Sequence, residues 1–149
     1  MKKLITLGAL VIAAALAFTT FTNAADPVTH KVAVHVDEND PKRMNLALNN
    51  INNLNKYYES IGESVEIELV VYGPGLHMLR ADTSPVAERI STMGLEMDNL
   101  TFSACGNTHR VMSKKESKQV ELLEEASMVP SGVVQLVALQ EQGYAYIRP

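Results

Sequence analysis

Residues 100–115 read LTFSACGNTHRVMSKK, and within this stretch a predicted strand leads directly into a predicted helix. The strand covers residues 100–104 and is followed at once by Cys105, the single cysteine of the chain. The helix covers residues 108–115, where two lysines suit the negative end of a helix dipole. The stretch therefore predicts a strand–turn–helix unit with Cys105 in its turn.

Two further strands and a helix are predicted upstream of this unit. The β-branched residues of 30–36 indicate a first strand. A helix follows, with Asp40 suited to its cap and Pro41 to its first position, and Gly62 is well placed to end it. Residues 65–72 indicate a second strand, because apolar residues alternate along it.

The remaining predicted elements are a loop opened by residues 73–75, helices at 84–94 and 131–143, a possible strand at 127–129 and a last strand at 144–147. Residues 116–125 do not favour helix over loop. Alternation of strands and helices predicts a parallel sheet with helices on both faces. Ligands of such sheets bind at the carboxyl ends of the strands.

Polar side chains follow three of the predicted strands. His35 lies at the end of the first strand, His77 follows the second, and Cys105, Gly106 and Asn107 follow the third. Because the carboxyl ends of parallel strands meet at one edge of a sheet, we expect these residues near each other.

The first 24 residues have the three parts of a secretory signal. Lys2 and Lys3 form a positive start, residues 4–18 are almost entirely apolar, and small residues precede a cleavage site after Ala24. The apolar stretch is shorter than the about 20 residues of a membrane span, although an uncleaved anchor is an alternative. We expect cleavage after Ala24, a periplasmic location, no stable membrane association afterwards, and one domain at residues 25–149.

Composition limits the partners of this domain. About 125 residues fit one domain with one core. Two of the 13 basic residues lie in the signal, so 11 remain against 17 acidic residues, a formal charge of −6. A charge of this sign argues against nucleic acid or an anionic membrane as a partner.

The single cysteine is the most informative residue, because exported proteins usually carry cysteines in pairs. A lone thiol is a buried inert side chain, half of an intermolecular bridge, or a reactive group. A helix N-terminus favours the nucleophilic thiolate through unpaired N–H groups and the positive end of the dipole. Gly106 allows close backbone approach, Asn107 offers an amide, and His109 adds positive charge nearby. We expect the sulfur of Cys105 at the rim of the sheet, open to solvent.

The histidines allow a second interpretation. His35, His77 and His109 are all predicted near the edge that holds Cys105, and three imidazoles with a thiolate can bind copper or zinc. Their spacing lacks the close pairing of metal motifs, so we predict neither a metal nor another cofactor. A non-enzymatic binding module for a small ligand or metal ion is the alternative to chemistry at sulfur.

Five blocks of the sequence resemble the DsrE/DsrF-like family, and more closely its small exported members. The blocks are VHVD (34–37), YGPGL (72–76), SACGNT (103–108), VPSGVV (129–134) and QEQGYAYI (140–147). Their order and spacing across residues 30–149 carry the resemblance. It implies a three-layer α/β/α sandwich with a mainly parallel sheet of about five strands, and homo-oligomers built from such domains.

The resemblance also implies an activity. Some family members are cytoplasmic sulfur-relay proteins that hold a persulfide on a cysteine after a central strand, and Cys105 matches that position. We expect a periplasmic counterpart in which the Cys105 thiolate takes sulfane sulfur and passes it to an acceptor thiol. Gly106, Asn107 and His109 would stabilise the anion. The sequence holds no second cysteine, so the acceptor must be another molecule.

Overall fold

The computed structural model describes residues 29–149, so the predicted signal and its cleavage site at Ala24 lie outside the described residues. The elements are, in chain order, β1 (Thr29–Val36), α1 (Pro41–Ser60), β2 (Ser64–Val71), a 3₁₀ helix (Gly73–Leu79), α2 (Ala87–Glu96), β3 (Leu100–Cys105), α3 (Gly106–Glu116), β4 (Ala126–Val129), α4 (Gly132–Glu141) and β5 (Ala145–Ile147). None of these helices is long and apolar enough to cross a membrane.

The five strands form one sheet in the order β4-β3-β2-β1-β5, and every neighbouring pair is parallel. Val71 of β2 is the register partner of both Val36 and Ala104, and Cys105 is paired with Val129. The carboxyl ends of these strands therefore lie along one edge. The predicted parallel sheet is confirmed.

The larger core lies between one face of the sheet and the helices α1, α2 and α3. Val34, Leu69 and Phe102 point to this side from the three central strands and are buried. Leu48 of α1 and Ile90 of α2 pack against them, and both are fully buried. Burial of such side chains is the main stabilising contribution to the fold, at about 1.5–3 kcal/mol each.

The other face of the sheet is covered by α4. Leu136 and Leu139 pack on Ala33 and Val70, with Tyr144 closing the cluster. The two faces together give the three-layer α/β/α sandwich that the sequence predicted. Among the described helices, α4 alone packs on this face, whereas α1, α2, α3 and the 3₁₀ helix pack on the other.

Glycines explain where the predicted elements and the structure agree and differ. Gly62 and Gly143 have φ angles of +73° and +88° and follow the ends of α1 and α4, as predicted. Gly94 does not have a positive φ, and α2 continues past it to Glu96. The predicted stop at Gly94 was wrong, because a glycine ends a helix where it adopts the left-handed conformation.

The segment after β2 is a 3₁₀ helix where a loop was predicted. A Cβ added to Gly75 would lie 2.3 Å from the carbonyl oxygen of Val36. Only glycine allows the two backbones to approach this closely. The close approach fixes the first turn of the 3₁₀ helix against the end of β1, at the edge where the candidate site lies.

Candidate functional site

The topology of the sheet places Cys105 at a crevice between two strands. Cys105 ends β3 beside Val129, which ends β4. The chain leaves β3 through α3 onto one face of the sheet and leaves β4 through α4 onto the other. Open α/β sheets bind ligands where neighbouring connections diverge in this way, outside the carboxyl ends of the strands.

Two helix N-termini meet at the sulfur of Cys105. Cys105 is the N-cap residue of α3, which begins at Gly106 and not at residue 108 as predicted. The backbone amides of Asn107 and Thr108 favour the anionic form of the sulfur, as does the amide of Gly132, the first residue of α4. Both helix dipoles thus place their positive ends at the sulfur.

A hydroxyl group is a further donor. The side chain of Thr108 also lowers the pKa of Cys105, because its hydroxyl favours the thiolate. Its oxygen accepts a hydrogen bond from the backbone N–H of Gly73 at 2.9 Å. A hydroxyl has one hydrogen to donate, and the bond from Gly73 leaves that hydrogen free to point at the sulfur.

These donors favour the thiolate. Burial alone would raise the pKa of Cys105, because it disfavours the charged form. The hydrogen bonds from the Thr108 hydroxyl and from the amides of Gly132, Thr108 and Asn107 outweigh burial, so the pKa of the thiol is lowered. The expectation of a stabilised anion at this position therefore has a structural basis.

The expectation of a sulfur open to solvent was wrong. Cys105 is only 4% exposed. Gly132 lies against it, since a Cβ added to Gly132 would be 3.2 Å from the Cβ of Cys105 and 2.9 Å from Cδ1 of Tyr72. Gly132 and Tyr72 were not among the predicted site residues, although the sequence SGVV already indicated a helix start at residue 131.

Gly106 lies close to the end of β4, and its predicted effect on the sulfur stays a prediction. A Cβ added at this position would lie 3.0 Å from the carbonyl oxygen of Val129 and 3.5 Å from the sulfur of Met128. Gly106 therefore allows β4 to lie close to the start of α3.

His109 and Asn107 hold partners other than the sulfur. Nε2 of His109 lies 2.7 Å from the carbonyl oxygen of Val120 and donates to it. The side-chain oxygen of Asn107 accepts from Arg110 at 2.6 Å. Asn107 serves the sulfur through its backbone amide, and the described contacts give His109 a structural role in holding the segment after α3.

His35 lies on the same face of the sheet as Cys105, with Tyr72 beside it. The two rings stack with centroids 4.5 Å apart, and Nδ1 of His35 lies 2.8 Å from the hydroxyl oxygen of Tyr146. His35 is 3% exposed, and its buried Nε2 has no hydrogen-bond partner within residues 29–149. Burial lowers the pKa of His35, although the nearby Asp37 carboxylate opposes this effect. The imidazole is therefore favoured in its neutral form.

Each of the three histidines of the metal interpretation has a different hydrogen-bond partner. Nδ1 of His77 lies 3.0 Å from the hydroxyl of Thr83, while His35 contacts Tyr146 and His109 contacts Val120. In the described part of the chain, no group of three or more His, Cys, Asp or Glu side chains is placed to hold a metal ion.

A cleft of about 530 Å³ opens beside the site, between the 3₁₀ helix and α3. Its lining residues are Asn39, Gly73, Pro74, His77, Asn107, Thr108, Val111, Met112 and Lys115. Asn107 and Thr108, which favour the thiolate of Cys105, also form part of the wall of the cleft.

Comparison with known proteins agrees with this architecture. The sequence model of the DsrE/DsrF-like family matches residues 12–149. The solved structure titled a protein of unknown function, MTH1491 from Methanobacterium thermoautotrophicum, is similar with a TM-score of 0.68 and 37% sequence identity. The match covers 80% of this chain and 99% of that one. No curated protein matches the chain.

Proposed function

The chain belongs to the DsrE/DsrF-like family, and we propose that it carries sulfane sulfur as a persulfide on Cys105. The family suggests a role of the sulfur-relay type in general. The finer assignment to a persulfide on this residue is our proposal, and it depends on the surroundings of the sulfur.

One observation supports the proposal most strongly: hydrogen-bond donors from two helices converge on the sulfur of a single cysteine. The Thr108 hydroxyl and the amides of Asn107, Thr108 and Gly132 all favour the thiolate. Thiolate is the form that attacks sulfur. A buried cysteine that served only as a small apolar side chain would have no need of these donors.

The proposed reaction consists of two exchanges at sulfur. The Cys105 thiolate attacks the outer sulfur of a donor R–S–SH and forms a new S–S bond with it. The S–S bond of the donor breaks, R–S⁻ leaves as a thiolate, and Cys105 becomes a persulfide. An acceptor thiolate then attacks the outer sulfur of this persulfide and releases Cys105 as a thiolate. Each step exchanges one S–S bond for another, so no oxidant or reductant is consumed.

Mass spectrometry of the intact protein tests this proposal. After exposure to polysulfide and trapping of thiols with an alkylating reagent, wild-type protein should gain the mass of one sulfur atom and Cys105→Ser should not. Wild-type protein that stays unmodified under conditions that load a small control thiol would contradict the proposal.

We also propose that the protein acts in the periplasm as a homo-oligomer. The signal pattern of residues 1–24 supports export. The outer side of α4 supports assembly, because Val133, Val134 and Val137 are each more than half exposed there. Cell fractionation tests the location. Light scattering of the purified protein tests the assembly, which Val134→Glu should weaken and Glu124→Gln should not.

A binding module is the second candidate, and the cleft beside Thr108 favours it. A volume of about 530 Å³ is in the range of small-molecule sites. This candidate predicts ligand binding that persists in Cys105→Ser and a wild-type sulfur that polysulfide does not load.

A further inference from the structure

The cleft and the surroundings of the Cys105 sulfur share two residues, Asn107 and Thr108. Gly73, which positions the Thr108 hydroxyl, lies in the wall of the cleft together with Thr108 itself. Asn107 adds a second wall residue, and its amide favours the thiolate of Cys105. Thr108 thus belongs both to the wall of the cleft and to the groups that favour the thiolate of Cys105.

One stripe of α3 forms a wall of the cleft. Asn107, Val111 and Lys115 recur at intervals of four residues, and Thr108 and Met112 follow the same spacing. At 1.5 Å per residue, Lys115 lies about 12 Å along the helix from Asn107. The stripe thus begins at Asn107 and Thr108, beside Cys105, which we call the sulfur end. It finishes at Lys115, the lysine end, with the apolar side chains of Val111 and Met112 between the two ends.

The charge of the cleft differs from that of the chain. Lys115 is the only Lys or Arg among the described lining residues, and none of them is Asp or Glu. Residues 25–149 have 17 acidic side chains against 11 basic ones, so a lining without a carboxylate is unusual for this chain. A negatively charged group is the natural partner of the lysine end.

The volume of the cleft and its apolar wall do not suit a small inorganic ion. Val111 is 64% exposed, and it lines the cleft with Met112 and Pro74. A volume of about 530 Å³ suits an organic molecule, and a thiosulfate or short polysulfide ion would fill only a small part of it. An apolar body would also cover side chains that are otherwise exposed to water.

We propose that this cleft binds the sulfur donor, and that the donor is an organic persulfide with an apolar body and a carboxylate or sulfonate at its far end. The anionic group binds Lys115, and the body packs on Val111 and Met112. The sulfur end lies at Thr108, next to Cys105. This inference rests on the proposed function of Cys105 as the sulfur-carrying residue.

The rate of disulfide exchange with two reagents tests the inference. 5,5′-Dithiobis(2-nitrobenzoate) is an aromatic disulfide with carboxylates, and 4,4′-dithiodipyridine is a neutral one of similar shape. In both cases the Cys105 thiolate attacks one sulfur, forms a mixed disulfide and releases a coloured thiol product. Lys115→Met should slow the reaction with the carboxylate reagent about two- to fivefold and leave the neutral reagent unaffected.

Lys114→Met is the matched control, since it removes the same charge from the neighbouring exposed position of α3, which does not line the cleft. It should leave both rates unchanged. Equal slowing of both reagents by Lys115→Met, or equal effects of the two lysine variants, would overturn the cleft assignment while leaving Cys105 as the sulfur-carrying residue. A wild-type protein that reacts with neither reagent would instead contradict the proposed function itself.

A binding measurement separates recognition from reaction. Isotope-labelled Cys105→Ser protein is titrated with 4-(methylthio)benzoate, which has the anion and the apolar body but cannot exchange sulfur. Amide resonances of Gly73, Thr108 and Val111 should shift in NMR spectra, and Lys115→Met should weaken the binding. Shifts confined to α4 or to the opposite edge of the sheet would contradict the assignment.

Discussion

The backbone N–H of Gly73 donates to the hydroxyl oxygen of Thr108 over 2.9 Å, and this bond decides what the hydroxyl can do. With its oxygen engaged, Thr108 has its hydrogen available for the sulfur of Cys105. Gly73 follows β2, whereas Thr108 and Cys105 belong to α3 and β3. The ends of β2 and β3 must therefore be in register before the Thr108 hydroxyl can act on the sulfur.

Thr108→Val should make Cys105 less reactive. The variant keeps the size of the side chain and removes the hydroxyl donor, which favours the thiolate. A hydrogen bond to a charged group contributes about 1.5–3 kcal/mol, so alkylation by iodoacetamide at pH 7 should slow on the order of tenfold. Thr108→Ser keeps the hydroxyl and should stay near the wild-type rate. Equal rates for the Val and Ser variants would show that the hydroxyl does not act on the sulfur.

Gly132→Ala should disturb the site directly. The new Cβ would lie 2.9 Å from Cδ1 of Tyr72 and 3.2 Å from the Cβ of Cys105, so α4 or the Tyr72 ring must shift. Overpacking of this kind costs about 1–3 kcal/mol in the free energy of unfolding, and persulfide loading should fall.

Gly94→Ala is the matched control for Gly132→Ala. Gly94 lies in α2, which packs on the face of the sheet opposite α4, and a Cβ added there would meet the flexible side chain of Glu125 at 2.8 Å. Loading should stay at the wild-type level, because Glu125 can move aside. Urea unfolding and mass spectrometry measure the two effects, and unchanged loading in Gly132→Ala would show that the sulfur tolerates closer packing.

His35 should make the protein less stable at mildly acidic pH. Burial lowers the pKa of folded His35 below the 6.5 of an exposed histidine, despite Asp37, while Arg148 adds to the lowering. Below about pH 6.5 the unfolded chain binds more protons than the folded one, so the free energy of unfolding falls as pH decreases. His35→Phe keeps a ring against Tyr72 and should flatten this fall between pH 6.5 and 5. Urea unfolding across this range measures the slope, and identical slopes would contradict the prediction.

Arg80 should determine stability at lower pH. The buried Arg80 binds both Asp82 and Glu116. Its hydrogen bonds lower the pKa of Asp82 to about 2 and also lower the pKa of Glu116. Their contribution to stability is complete above about pH 4.5 and is lost as pH falls toward 2.

Glu116→Gln should therefore reduce stability at pH 7 and make the acid-induced loss of stability shallower. Glu124→Gln is the control, because the exposed Glu124 carboxylate forms no ion pair within residues 29–149. Acid titrations followed by circular dichroism compare the two variants. A Glu116→Gln profile that matches wild type would show that the ion pair with Arg80 adds nothing to acid stability.

The fold followed from the sequence because its signals are local. Alternating apolar residues in Ser64–Val71 and the helix-stopping glycines at 62 and 143 act over a few residues. The candidate site depends on contacts between distant parts of the chain, and spacing does not reveal these. Gly132 reaches Cys105 because β4 lies beside β3 and α4 crosses to the other face. For the same reason, the sequence could not show that His109 contacts Val120.

The enclosure of Cys105 by Gly132 and Tyr72 has a mechanical consequence. In the proposed persulfide, the outer sulfur atom would extend from a side chain that is only 4% exposed and that borders the first turn of α4. The same turn carries Val133 and Val134 on the protein surface. Formation of the persulfide would then shift α4 and change the surface that this helix presents. A neighbouring molecule could therefore distinguish the persulfide form from the free thiol by contact with α4.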